Sequence, residues 1–310
     1  MLINNIANQI FQRATIVLFV VMPMVFALIS FGYASAESGD GRTEGLTISP
    51  IRTELSAIPG VVTTAKLTVT NNTTSDMSVD MSAEVFGVKN PEYDYVFDPN
   101  SATTKWIRFE PQLIPLAPGK NKTVTYSINT PIGAEPGGQY IALLASSDSQ
   151  GSDGTLATRK RVASLLYITV AGDVTRHGSL LSVSLPWVSA GETTWSALIQ
   201  NKGTAHFRTS YNVTVQTLWN SKVMELDGDA LILPGTIRSV SGTIPQINVP
   251  GIYKVVYAFS MGDAPTAYET KFILYMPIYG WIITGLLLIY IVTSITHRVI
   301  KRREAKIAKP

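Results

Sequence analysis

The residues best suited to contact a ligand form one aromatic and polar stretch from Asn90 to Trp106, with the sequence NPEYDYVFDPNSATTKW. Flat rings offer apolar faces to a sugar or a protein surface, and neighbouring carboxylates accept hydrogen bonds. We therefore predict six ligand-binding residues, namely Tyr93, Tyr95, Phe97, Trp106, Asp94 and Asp98. A second interpretation stays open, because Tyr93, Tyr95 and Phe97 alternate and would share one buried face of an ordinary strand.

No arrangement typical of catalysis or metal binding accompanies this stretch. The chain has no cysteine and three histidines; His297 flanks the C-terminal apolar span, and His177 and His206 have no partner at metal-ligand spacing. No nucleophile-elbow, zinc-protease or phosphate-binding glycine motif occurs. We predict a protein that is not an enzyme and holds no cofactor or metal. The lack of cysteine fits an exported bacterial protein stabilised by its core rather than by disulfides.

The elements that must position the aromatic stretch are short strands. Runs of β-branched and apolar residues alternate with turn residues throughout 46–275, and no sustained helical period appears. Seven or eight strands up to Val170 are typical of a β-sandwich, and a second set runs from Gly178 to Tyr275. The predicted fold class is all-β, with two tandem immunoglobulin-like β-sandwiches at 46–172 and 175–275.

The two sets of strands resemble each other. Each contains an Asn at a strand end, a Pro-Gly turn before a strand and a Tyr early in a later strand; the pairs are Asn71 and Asn201, Pro118-Gly119 and Pro234-Gly235, Tyr140 and Tyr253. The spacing of about 115 to 130 residues indicates duplicated domains, since solenoid repeats are much shorter. The Tyr should pack in the core with its hydroxyl bonded at a corner.

The N-terminal 36 residues are predicted to be a signal peptide. Ile16 to Ile29 is apolar but short for a bilayer, and Ala34-Ser35-Ala36 supplies the small residues of a cleavage site. An uncleaved signal anchor is the alternative.

Near the other terminus, Pro277–Thr296 carries no charged residue and is 20 residues long, which suits a transmembrane helix. The basic segment 297–310 that follows indicates a cytoplasmic C-terminus, so residues before the span should lie outside the cytoplasm. A buried core helix of a soluble domain is the alternative. The net charge of +3 arises largely from this tail, which gives no reason to predict a nucleic-acid partner.

Several short motifs of the first domain match a known pattern; they are Ser49-Pro50, Asn71-Asn72, Pro118-Gly119, and Gly138 with Tyr140. Together with the leader, the second sandwich, the single span and the basic tail, they make the chain similar to the bacterial cell-surface proteins that interact with WxL-domain proteins. That resemblance implies a peptidoglycan-binding first domain and a second domain that binds a host or partner ligand.

Two functional hypotheses follow. In the first, a single-pass cell-membrane protein displays two sandwiches that bind cell-wall polysaccharide, peptidoglycan or another surface protein. In the second, the chain is a structural, accessory or chaperone-like subunit of a membrane or secretion assembly and binds no polysaccharide. In both, the chain contacts the membrane through Pro277–Thr296.

Overall fold

A computed structural model describes residues 45–149 and 158–307 of the chain. The predicted signal peptide at 1–36 lies outside the described residues. The fold-class prediction is confirmed, since the described chain consists of two β-sandwiches followed by one long helix.

The first sandwich contains β1 (Leu46–Ser49), β2 (Arg52–Ala57), β3 (Val62–Asn71), β4 (Met77–Val88), β5 (Tyr95–Asp98), β6 (Ile107–Glu110), β7 (Leu113–Leu116), β8 (Asn121–Asn129), β9 (Gly137–Ser149) and β10 (Thr158–Val170). A short 3-10 helix, Ala102–Trp106, precedes β6. One sheet has the order β1-β3-β8-β6 and the other β2-β10-β9-β4-β5, with β7 also paired to β4.

The second sandwich contains β11 (Gly178–Ser184), β12 (Val188–Ser189), β13 (Thr193–Asn201), β14 (Phe207–Thr217), β15 (Lys222–Ile232), β16 (Ile237–Ile244), β17 (Gly251–Met261) and β18 (Ala264–Tyr275). Its sheets have the orders β11-β13-β16 and β12-β18-β17-β14-β15. In both sandwiches the early strand that changes sheets pairs in parallel with the last strand, β2 with β10 and β12 with β18. All other pairs within the two sandwiches are antiparallel, and the shared strand order is the immunoglobulin arrangement.

Strand β9 is buried on both faces. Ile141 and Leu143 point into the core of the first sandwich, whereas Ala142 and Leu144 belong to a cluster that continues into the second sandwich. The near-continuous apolar sequence of β9 is typical of a strand covered on both sides. The core of the second sandwich therefore extends over the outer face of the first.

The repeated Asn residues occupy equivalent, fully buried positions. The side-chain amide of Asn71 donates to the backbone carbonyls of Ser75 and Leu116, at 2.8 and 3.1 Å. The amide of Asn201 donates to two equivalent carbonyls, both at 2.9 Å. The side-chain oxygen of each Asn accepts a hydrogen bond from the backbone N–H two residues later, at 2.9 and 2.8 Å. The sequence repeat thus corresponds to a structural repeat that ties a strand end to its turn and to a neighbouring strand.

The glycines of both Pro-Gly turns require a left-handed backbone. Gly119 has φ 65° and Gly235 has φ 69°. The N–H of each glycine donates to the backbone carbonyl of the repeated Asn, at 2.8 and 3.0 Å. Only glycine adopts this conformation without steric cost, which explains its place in the repeat.

The C-terminal helix α1 spans Ile278–Ile307, so it continues beyond Thr296 through much of the predicted basic tail. Helix-favouring Arg, Lys and Glu residues, with no Pro or Gly before Pro310, account for the extension. Residues 278–302 have a mean hydropathy of 2.0 in their most apolar window, and 6% of that window is buried. The alternative of a buried core helix is therefore wrong, and α1 has the length and composition to cross a membrane.

Candidate binding surface

The six predicted ligand-binding residues do not form one surface. Tyr95, Phe97 and Asp98 lie in β5, and Asp94 directly precedes it. Tyr93 turns towards the second sandwich, and Trp106 packs against the core of the first. The exposed-loop and buried-strand interpretations each describe a part of the set, and ligand binding by these residues stays a prediction.

Tyr93 joins the two sandwiches. It is 7% exposed and has φ 68°. Its hydroxyl oxygen accepts the N–H of Leu233 at 2.7 Å and is hydrogen bonded to the Thr236 hydroxyl at 2.9 Å. The guanidinium of Arg238 lies 4.4 Å from the ring centroid. Burial raises the pKa of the Tyr93 phenol, which stays neutral as a hydrogen-bonding link.

Strand β5 forms an open apolar edge. It pairs with residues Val85–Val88 of β4 on one side and ends the sheet on the other. Tyr95, Val96 and Phe97 are 41%, 47% and 44% exposed. The ring centroids of Tyr95 and Phe97 are 6.5 Å apart, and the Tyr95 ring meets Phe86 edge-on at 5.6 Å. Two neighbouring rings therefore present accessible surface beside a backbone edge that pairs with no further strand within 45–149 and 158–307.

The two predicted carboxylates also shape the chain around β5. Asp94 accepts a hydrogen bond from the Asn90 amide at 2.8 Å, and the Asp94 N–H donates to the Asn90 side-chain oxygen at 3.0 Å. Asp98 accepts the N–H of Asn100 at 2.9 Å. Both carboxylates are exposed, so they fix the turns that flank β5 while facing solvent.

An aromatic cluster at the domain junction was missed by sequence reasoning. Phe86, Tyr140, Tyr167 and His206 have ring centroids 5.4 to 5.9 Å apart in all but one of their pairings. The Tyr140 hydroxyl accepts the backbone N–H of His206 at 3.0 Å and lies 3.3 Å from the His206 Nδ1 atom. We call Phe86, Tyr93, Tyr140, Tyr167 and His206 the junction cluster.

The repeat offers the one signal that could have revealed this junction. Tyr253 fulfils the corner prediction, since its hydroxyl donates to the Val249 carbonyl four residues earlier at 2.7 Å. Its counterpart Tyr140 instead bonds across to the second sandwich. Burial raises the pKa of the Tyr140 phenol far above its ordinary value, so this group acts as a neutral link.

His206 also lines a polar cleft of about 420 Å³ between the sandwiches, together with Glu54, Thr169, Arg176, Arg208 and Asp263. Burial lowers the pKa of His206; Glu54 opposes this effect, and Arg176 and Arg208 add to it. Arg208 bridges the sandwiches, pairing with Glu54 at 2.7 Å and with Asp229. All three charged groups are about half exposed, so water weakens these pairs.

Charged side chains of the cleft are thus bonded largely to one another or to backbone. One Asp263 carboxylate oxygen accepts the N–H of Arg176 at 3.2 Å. Within 45–149 and 158–307, no group of three or more His, Asp or Glu side chains could hold a metal ion. The cleft is therefore a weaker candidate for ligand binding than the open edge of β5.

No protein-family model matches the chain, and no curated protein sequence matches it. Solved structures are similar to it. They include the class 5 fimbriae chaperone CfaA, at 12% identity and a TM-score of 0.40, covering 76% of this chain and 100% of that one. The E. coli chaperone DraB is 11% identical, with a TM-score of 0.37 and coverage of 74% and 97%. The CsuC–CsuE chaperone–tip adhesion subunit complex from Acinetobacter baumannii is 13% identical, with a TM-score of 0.37 and coverage of 74% and 99%. At these values the similarity concerns the fold and not the function.

Proposed function

We propose that the chain is a single-pass membrane protein whose two exported sandwiches bind a protein partner, as an accessory subunit of a membrane or surface assembly. The open apolar edge of β5 carries this proposal. An extended segment of a partner would add a strand there, bonding to the unpaired N–H and C=O groups of β5 while its side chains pack on Tyr95 and Phe97. No catalytic role is proposed.

The composition of β5 supports binding at this edge. Soluble proteins commonly protect edge strands with lysine, proline or inward-pointing charges. The sequence Tyr-Val-Phe-Asp of β5 has no Lys or Pro. By contrast, most of β18 also lies at a sheet edge, but it carries the charged residues Glu269 and Lys271, whose side chains are 40% and 38% exposed and pair at 3.0 Å. Strand β5 is thus an edge left open, and β18 is an edge that is protected.

Helix α1 supports the membrane part of the proposal. Its apolar residues face away from both sandwiches, and basic residues follow the apolar span. We infer that α1 crosses the cell membrane with its C-terminus in the cytoplasm, which places β5 outside.

Binding of wall polysaccharide is the competing function. It follows from the resemblance to WxL-interacting proteins, which stays a prediction, and it would use the same Tyr95 and Phe97 rings. The two functions differ in what they need from β5. Stacking of a sugar needs only ring faces, whereas strand addition also needs the backbone edge.

A photo-crosslinking phenylalanine analogue at Phe97, introduced into the full chain in its own cells, tests the proposal. We expect an adduct with a polypeptide that survives digestion of the wall by muramidase. Val96→Lys should reduce the yield severalfold, because it places a charge on the edge that a partner strand must approach.

The same analogue at Tyr268, an exposed aromatic on the protected edge of β18, is the matched control and should give no adduct. Loss of the Phe97 adduct on muramidase digestion would assign β5 to wall polymer instead. Absence of any adduct at Phe97 would overturn the proposal.

A further inference from the structure

The end of the second sandwich next to α1 carries five exposed apolar side chains. Strand β18 ends at Tyr275 and α1 begins at Ile278, so two residues separate the sheet from the helix. Strand pairing aligns Thr217 with Tyr253 and Tyr253 with Ile273, which brings the β14–β15 turn to this same end. We call the exposed set the rim; it consists of Trp187, Leu218, Trp219, Val249 and Ile252.

The two tryptophans are the most exposed members of the rim. Trp219 is 85% exposed and Trp187 is 77% exposed. Indole rings combine an apolar body with an N–H donor, and they are enriched where a bilayer meets water. Exposed apolar groups gathered at one end of a folded domain favour a surface that another molecule or a membrane covers.

The first turn of α1 is fixed to the loop that bears Val249, one member of the rim. The Tyr279 hydroxyl donates to the backbone carbonyl of Asn248 at 2.6 Å. Val249 is the next residue of that loop, and its carbonyl accepts the Tyr253 hydroxyl. Because α1 is scarcely buried, it does not fold back along the sandwich. A bilayer that α1 enters would therefore begin beside the rim.

Two lysines at the same end suit lipid headgroups. Lys222 and Lys254 both lie opposite Gln216 in the strand register. Lys254 Nζ donates to the Asn220 side-chain oxygen at 3.1 Å, and Lys222 pairs with Glu225 at 2.6 Å. In a bilayer the phosphate groups lie just outside the acyl chains. The two ammonium groups lie just above the apolar rim, which suits them to contact these phosphates.

We propose that the rim is a membrane-interface site that rests in the headgroup layer of the leaflet entered by α1. The proposal rests on the membrane anchoring of α1 given under the proposed function. Its occupant is the lipid of that leaflet, because the rim continues directly into the helix that the lipid surrounds. The second sandwich would then lie against the membrane rather than stand above it on a free tether.

Spin labels placed in the full chain test this site. The natural chain has no cysteine, so each label can be attached at one introduced residue. Ser221→Cys places a label beside the rim without removing any rim side chain, since Ser221 is exposed next to the β14–β15 turn. The chain is reconstituted into phosphatidylcholine nanodiscs, and the accessibility of each label to oxygen and to a water-soluble nickel chelate is measured.

We expect the label at Ser221→Cys to favour oxygen over the nickel chelate, as a residue at the lipid interface does. Thr266→Cys is the matched control, because it is exposed on β18 and lies about 30 Å from Tyr275 at roughly 3.3 Å per residue. Its label should favour the aqueous chelate. When Leu218→Ser and Trp219→Ser are combined with Ser221→Cys, the ratio of oxygen accessibility to chelate accessibility at that label should fall at least severalfold, towards the aqueous value.

A label at Ile289→Cys separates the two proposals, since Ile289 is exposed in the apolar part of α1. If the Ile289 label is in lipid while the Ser221 label is aqueous, the rim proposal is overturned and the anchor stands. If the Ile289 label is itself aqueous, the anchor is overturned and the rim proposal falls with it. Dipolar broadening between Ser221 labels would show a second copy covering the rim, which also overturns lipid contact.

Discussion

Asn71 and Asn201 show how one buried side chain can replace bonds that a strand end loses. Each amide satisfies two backbone carbonyls and one backbone N–H in the interior. Removing such a side chain leaves these groups without partners away from water. This local requirement, and not ligand binding, explains why an Asn stands at this position of both sandwiches.

Asn71→Ala should lower the free energy of unfolding by about 2 kcal/mol or more, because it leaves buried backbone carbonyls without a hydrogen-bond donor. Asn72→Ala is the matched control. Asn72 is exposed and its amide donates to the Thr47 hydroxyl at 3.1 Å, a bond that water can replace, so its removal should cost little. Denaturant unfolding of the detergent-solubilised chain, followed by tryptophan fluorescence, compares them. Equal losses in the two variants would contradict this role of Asn71.

His206 makes the stability of the junction depend on pH. Burial lowers its pKa below the ordinary value of 6.5, so the folded chain takes up the proton less readily than the unfolded chain. This contribution to stability is complete above the unfolded pKa. We expect the free energy of unfolding to fall as the pH drops below about 6.5 and to level off below the folded pKa.

His206→Gln should remove the part of the loss of stability at low pH that arises from His206. The midpoints of denaturant unfolding, measured between pH 7.5 and 5, test this. His177→Gln, which alters an exposed histidine, should keep the drop seen in the parent chain. A parent chain whose midpoint stays constant over this range would contradict the prediction.

At the scale of the element, β9 illustrates what the sequence could and could not predict. Its apolar run identifies a strand, and the turn residues around it fix its approximate limits. The sequence does not say what covers the second face. That depends on packing with the second sandwich, as in the contact between Tyr140 of β9 and His206, which lies 66 positions later in the chain.

Leu144→Ala should lower the free energy of unfolding by about 2 to 4 kcal/mol, since the side chain is buried on the face that meets the second sandwich. Leu113→Ala is the matched control in β7, where the leucine is largely exposed, and it should change stability by less than about 0.5 kcal/mol. Denaturant unfolding measures both. A small loss at Leu144 would show that the second face of β9 is not a core.

The aromatic stretch shows the same limit at the level of function. Alternation correctly places Tyr95 and Phe97 on neighbouring positions of one face, but it wrongly extends that face to Tyr93. A positive φ at Tyr93 turns its side chain out of the strand and towards Thr236. Such a backbone reversal at a tyrosine leaves no mark in hydrophobic periodicity.

For the whole molecule, the junction cluster makes two sandwiches behave as one body. Buried residues from β4, β9 and β10 belong to the same continuous cluster as the core of the second sandwich. Tandem sandwiches joined by a short linker would ordinarily bend relative to each other. Here the hydrogen bonds of Tyr93 and Tyr140 and the packed rings hold the arrangement.

We therefore expect a single cooperative transition when the detergent-solubilised chain is heated in a calorimeter. Combining Tyr93→Ala with Tyr140→Ala should separate this into two transitions, because both sandwiches keep their own strands while losing the links between them. Tyr268→Ala, which removes an exposed ring, should retain one transition. Two transitions in the unaltered chain would contradict the shared core.

The two-residue connection between Tyr275 and Ile278 has a rotational consequence. Each residue of an α-helix turns the next by about 100°. The direction in which each side of α1 faces is thus fixed relative to the direction in which β5 faces. Inserting one residue between Gly280 and Trp281, inside α1, would rotate the rest of the helix relative to the sandwiches by about 100°, while leaving both sandwich folds intact. The orientation in which a partner would bind to β5 is therefore fixed relative to α1.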